Sequence, residues 1–140
     1  MSAEQNEALV RRHFDESWNQ QDDDAVDEIF AEDFVGYSSG SSDPIRGREG
    51  VKQSLDGYLS AFPNLQMTIE ELVADDDKVA VRWFAEGTHN GDLLGMPPTG
   101  KSVEVGGIDI FTIVDEQIRE AHGLYDQAGL MQQLGAGESD

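Results

Sequence analysis

Between residues 3 and 62 the apolar positions recur every three or four residues, and from residue 65 onward they alternate. The first spacing predicts helices and the second predicts strands. Over residues 3–19, Leu9, Val10, His13, Phe14, Ser17 and Trp18 fall on adjoining rows of one amphipathic helix. Asn19, Gln20 and Gln21 break that pattern. Asp22, Asp23 and Asp24 then supply an N-cap and favourable negative charge for a second helix holding Val26, Ile29 and Phe30. A short apolar piece, Phe34 to Tyr37, leads into the Ser- and Gly-rich stretch 38–44, expected to be a mobile loop. A third helix is predicted over 46–62, with Val51, Leu55, Tyr58, Leu59 and Phe62 on one side and Pro63 as its stop.

Residues 65–74 and 78–89 read as two strands joined by a turn at Asp75, Asp76 and Asp77. In the second run Val79, Val81, Trp83, Ala85, Gly87 and His89 share one face, because side chains alternate across a strand. Residues 90–100 are loop by their Gly and Pro content, and 101–114 form a further strand. The stretch Gly107 to Leu134 reads as two long strands joined at Asp115 and Glu116, and on the second Ile118, Glu120, His122, Leu124 and Asp126 share a face. Three helices followed by a meander predict an α+β fold, a cone-shaped, curved, mostly antiparallel sheet packed against three N-terminal helices. Such a cone leaves a cavity in which a ligand can bind. We expect one domain over 1–140, with 1–2 and 136–140 as flexible tails.

Composition narrows the partners. The 140 residues include 29 acidic against 9 basic side chains, a net charge of −20, which repels phosphate backbones and argues against nucleic acid. Yet 38% of the chain is apolar, with two Trp, six Phe and three Tyr, so the charge coats a core and does not signal disorder. A strongly acidic, lysine-poor surface is one that halophiles use, and we expect a protein suited to a salt-rich cytoplasm. With no cysteine, disulfide and thiolate chemistry are excluded. No signal-like apolar run occupies residues 1–20 and no long apolar stretch occurs, so a cytoplasmic protein without a membrane partner is expected.

Candidate chemistry follows from the last strand. A carboxylic acid in an apolar cavity has a raised pKa and can exchange protons near neutral pH, which makes Asp126 a candidate acid/base; the alternative is an exposed Asp opening a turn. His122, on the same face, could orient it or polarise a substrate oxygen, and His89 could line the cavity. His13 sits on the first helix with no short-spaced partner, and no metal site is expected. GMPPTGKS at 95–102 matches the phosphate-loop pattern letter for letter, but the alternating residues after it predict a strand where that mechanism needs a helix. There is no G-x-S-x-G nucleophile elbow. Trp18, Phe34, Tyr37, Tyr58, Phe62, Trp83, Met96 and Phe111 are either core or cavity wall.

Several segments in order resemble the SnoaL-like polyketide cyclase or ester cyclase family of the nuclear-transport-factor-2-like superfamily. They include IRGREG at 45–50, AFPNL at 61–65, VAVRW at 79–83, GTH at 87–89, GMPPTGK at 95–101, GIDIF at 107–111 and the tail from Asp126 to Gly135. The resemblance spans nearly the whole chain. It implies a cone-shaped α+β fold, often dimeric through the sheet, that works without a cofactor. It also implies Asp126 as general acid/base in an aldol-type ring closure; we expect that chemistry, or an isomerisation, on a hydrophobic carbonyl compound, with His122 as its partner or as an oxyanion donor. We expect His89, Trp83, Tyr37, Tyr58, Phe62, Met96, Phe111 and Trp18 to contact the substrate. Relatives carry His-Trp shortly before that Asp, where this chain has Ala121 and His122. The alternative within the same superfamily is a non-catalytic small-molecule-binding or dimerisation module.

Overall fold

A computed structural model describes residues 2–39, 42–93 and 95–135. Most of the expected tail residues 1–2 and 136–140, and part of the expected mobile loop, lie outside this range. Ser2 does not: its Oγ accepts from Gln5 N at 3.1 Å while Gln5 Oε1 accepts from Ser2 N at 3.0 Å, a capping box that opens α1 (Ala3–Arg12). The first helix does not run to residue 19 as an α-helix. From His13 to Asn19 it widens into a π-helical segment, which brings both His13 and Trp18, five residues apart, to the interior cavity. Asn19 ends the segment by clamping the sheet, donating to Met67 O at 3.0 Å and accepting from Met67 N at 2.7 Å.

Asp22 caps α2 (Asp23–Ile29) as expected, its Oδ1 accepting from Asp24 N. Phe30 was expected in that helix; the chain instead turns extended there and begins β1 (Phe30–Ser38). A two-residue β2 (Ile45–Arg46) precedes α3 (Gly47–Ala61), which buries Val51, Leu55, Leu59 and Ala61. β3 (Gln66–Ala74), β4 (Lys78–Thr88) and β5 (Ser102–Val114) follow close to the predicted bounds, whereas β6 (Gln117–Tyr125) begins where expected and ends nine residues short of Leu134. Asp115 and Glu116 both have positive φ, 52° and 67°, the left-handed pair that a two-residue hairpin turn requires.

The sheet runs β2-β1-β6-β5-β4-β3, with β1 parallel to β6 and the other neighbours antiparallel. The helices cover one face and the core lies between, from Val10 and Ile29 across to Val79, Val81 and Ile118. Residues 127–134 were expected to continue a strand. They form α4 (Gln127–Gln133), whose Leu130 and following Leu134 are buried, and Gln133 bonds both N and O of Glu104 on β5.

One irregularity decides the site. On β5 Thr112 faces Glu120 while the next residue, Ile113, faces Ile118, so Arg119 is an extra residue in β6. A one-residue bulge turns everything after it to the other face. Arg119 projects outward and pairs with Asp33 at 2.6 Å, opposite the irregular part of β1.

Candidate functional site

Between helices and sheet lies a cavity of about 190 Å³, walled almost entirely by apolar and aromatic groups. An apolar cavity of about 150 Å³ already takes benzene, so this one accommodates a ring and its substituents. Of the residues read as either core or cavity wall, Trp18, Phe34, Tyr37, Tyr58, Phe62, Trp83 and Phe111 line it. Met96 does not; it packs partly buried against the core. His89 is fully buried outside the lining, tilted against Phe62 at 5.5 Å, its Nδ1 accepting from Thr99 N at 3.2 Å and lying 3.0 Å from Thr99 Oγ1.

His122 and Asp126 face away from this cavity, which corrects the expected pocket environment of both. The bulge at Arg119 is the reason for His122. After it, Ala121, Gly123 and Tyr125 line the cavity, while Glu120 and His122 turn to solvent. His122 stacks on Tyr37 at 4.9 Å and its Nε2 meets Glu120 Oε2 at 3.2 Å. Asp126 is exposed and serves as the N-cap of α4, Oδ1 accepting from Gly129 N at 2.9 Å. Both residues border a groove on the outer face of the sheet beside Ile108 and Ile110.

The carboxyl that does line the cavity is Asp109, in the middle of β5. Its Oδ2 accepts from Trp83 Nε1 at 3.1 Å. Burial pushes this carboxyl up to about 7, overriding the indole hydrogen bond, which favours the carboxylate. Space for the pair comes from two glycines set across from them. Gly107 pairs with Trp83 across β4–β5, and a side chain there would enter the indole ring; Gly123 pairs with Asp109 across β5–β6, and a side chain there would collide with the carboxylate. In the sequence Asp109 shares its parity with Val103, Val105, Phe111 and Ile113. An acid amid an inward apolar row was the signal available.

Two further polar features complete the site. His13 lines the cavity among Phe14, Phe30 and Phe111, with Nδ1 buried and unpaired, and burial depresses its imidazole to about 3, so it is neutral at physiological pH. The Tyr58 and Tyr125 hydroxyls meet at 3.1 Å on the cavity wall. A proton-transfer group near neutrality, a neutral imidazole and phenolic hydroxyls on the wall of an apolar cavity suit acid/base chemistry on a carbonyl compound. Among the described residues no three His, Cys, Asp or Glu side chains converge as a metal site. Nor is any helix among them long and apolar enough to cross a membrane.

Known proteins share this architecture. The aklanonic acid methyl ester cyclase DauD of Streptomyces sp. strain C5 is 29% identical over 130 residues, 91% of this chain and 80% of that protein. The nogalonic acid methyl ester cyclase of Streptomyces nogalater is 28% identical, over 80% of this chain and 84% of its own. The crystal structure of a SnoaL-like protein from Jannaschia sp. CCS1 superposes with a TM-score of 0.89 at 29% identity, covering 97% of this chain and 95% of the other. The sequence profile of SnoaL-like polyketide cyclases matches residues 8–134, and since that match takes in the helices, the sheet and the cavity between them, the chain belongs to this family.

Proposed function

We propose that the protein is a cyclase-type enzyme that closes a ring in a hydrophobic, enolisable carbonyl compound, with Asp109 as its general acid/base. The observation that supports this most directly is a carboxyl raised to about 7 on the wall of an apolar cavity. The Asp109 carboxylate takes a proton from the carbon next to a carbonyl, and the released electron pair moves onto that carbonyl oxygen as an enolate. The enolate carbon then attacks a second carbonyl of the same molecule, forming a carbon–carbon bond. The resulting alkoxide recovers the proton from Asp109. Atoms and electrons balance without a redox or metal cofactor, and excluding water protects the enolate. Trp83 holds the carboxylate in place. Aklanonic acid methyl ester, the substrate named for DauD, is the substrate class to try first.

In D2O the protein should incorporate deuterium at the acidic carbon of such an ester and yield the cyclised product. Asp109→Asn should reduce kcat by about 10²-fold or more. Full turnover by that variant would overturn the assignment, as would tight binding of the ester with neither exchange nor closure, the mark of a binding module. We further propose that a second copy packs on the outer face of the sheet, where Ile108 and Leu124 are 52% and 70% exposed. Light scattering that shows a monomer across the micromolar range would refute that.

A further inference from the structure

The hydroxyls of Tyr58 and Tyr125 form a pair whose hydrogen-bond inventory is incomplete. Each phenol carries one proton, and between two oxygens 3.1 Å apart only one proton can lie. The other has no protein acceptor among the described residues, though both side chains line the cavity. Their placement relative to the acid is fixed by register. Asp109 faces Gly123, and Tyr125 lies two residues along β6 on the same face, opposite Gly107. Such a diagonal places the two Cα atoms roughly 7–8 Å apart. From the other wall α3 brings in Tyr58, its ring meeting that of Tyr125 edge-on at 6.2 Å.

Within the pair, the hydroxyl that accepts from its neighbour becomes the stronger donor, because hydrogen bonds in series polarise one another. Desolvation, chiefly, and then Tyr58 raise the Tyr125 phenol above its ordinary range, so it keeps its proton wherever Asp109 is active. Tyr125 therefore serves the pair as a hydrogen-bond donor and not as a base. A donor fixed in an apolar enclosure is worth most where negative charge develops during reaction.

We propose that the Tyr58–Tyr125 hydroxyl pair receives the enolate oxygen formed when Asp109 removes the substrate proton. This rests on Asp109 being the base, and it adds that the carbonyl next to the acidic carbon points toward α3. Substrates lacking an oxygen at that place would bind without reacting.

The test uses the full chain carrying Asp109→Asn, whose amide stands in for the protonated acid present after proton transfer. Its probes are 2-naphthol, whose absorbance separates bound naphthol from naphtholate, and naphthalene, which has no oxygen. In the Asp109→Asn protein, naphthol should bind partly as naphtholate. Adding Tyr125→Phe or Tyr58→Phe should weaken naphtholate binding by about 10- to 100-fold and leave naphthalene binding unchanged. With Asp109 intact, the same Tyr variants should lower kcat for proton exchange by a similar factor with KM little altered. Equal loss of both probes would mean that the pair only braces α3 against β6, and undiminished naphtholate binding would exclude it as the donor. Should one Tyr variant fail to fold, the other carries the same comparison. If Asp109→Asn retained full turnover while the naphtholate result held, the base assignment would fall, and with it this one, the pair remaining only an anion site.

Discussion

Trp83 and Asp109 stand on adjacent strands and meet inside the cavity, the indole Nε1 donating to the carboxylate Oδ2 at 3.1 Å. The contact sets two opposing influences on one proton. Burial favours the neutral acid and the indole favours the carboxylate, and burial wins, leaving the group near 7. A base poised there is substantially ionised at neutral pH yet still basic enough to take a proton from carbon.

Activity that needs the Asp109 carboxylate should rise with pH through about 7 and then level off. Trp83→Phe removes the hydrogen bond that favours the charged form, so the rising limb should move to higher pH. The pH dependence of kcat/KM for the two proteins checks this; an unshifted limb would mean that the indole does not tune the acid.

Stability should carry two opposing pH slopes. Asp109 is raised from 3.8 to about 7, so the folded state holds a proton that the unfolded chain has released. That contribution is fully present below the unfolded value and is lost as pH rises toward 7. His13 is lowered from 6.5 to about 3, so the unfolded chain takes up a proton that the folded state refuses, and its contribution, complete above 6.5, is lost as pH falls toward 3. Between about pH 4 and 6.5 the two offset. Relative to the parent chain, Asp109→Asn should therefore lose stability on acidification through that range, and His13→Phe should lose it as pH rises. Urea midpoints at several pH values distinguish these from two profiles parallel to the parent.

Placing a methyl group at Gly107 or Gly123 should damage the site from the sheet side. The new Cβ would fall within the Trp83 ring or against the Asp109 carboxylate. Overpacking of this kind costs about 1–3 kcal/mol. Gly107→Ala and Gly123→Ala should each lower the urea midpoint and reduce turnover, whereas Gly57→Ala, with nothing within 4 Å of its Cβ, should do neither.

Asp126→Ala separates the two acids. It removes the cap of α4 and should cost about 0.5–2 kcal/mol in stability while turnover persists under conditions where the variant is folded. Loss of turnover in the folded variant would return the catalytic role to Asp126.

At a net charge of −20, added salt should stabilise the protein by screening self-repulsion. Its Tm should rise from low-salt buffer to about 1 M KCl; a flat profile would remove the case for adaptation to a salt-rich interior.

The fold was legible where the period of the sequence was unbroken. Val79, Val81, Trp83 and Ala85 alternate without interruption, and all four are buried on one face of β4 as expected. Legibility failed where one residue was inserted. Arg119 carries no Gly or Pro to announce a bulge, so parity counted from Ile118 assigns His122 to the interior and Tyr125 to the exterior, the reverse of what is found. The same limit hid α4, whose Leu130 and Leu134 follow a strand without an intervening breaker other than Asp126 itself. Asp109 was visible only as an acid in an apolar row. The role proposed for it depends on long-range facts, the glycine opposite and the indole one strand away, that no local window contains.

The glycine facing Asp109 has a consequence for how this cavity can change over time. Because a β-carbon on Gly123 would occupy the place where the Asp109 carboxylate now lies, a single point in the enclosure can be reached from either of two strands. Asp109→Gly combined with Gly123→Asp should therefore deliver an acid to nearly the same place, recovering turnover that each change alone abolishes. On the proposed reading, what the chemistry requires of the acid is a location in space, which either of two neighbouring strands can supply.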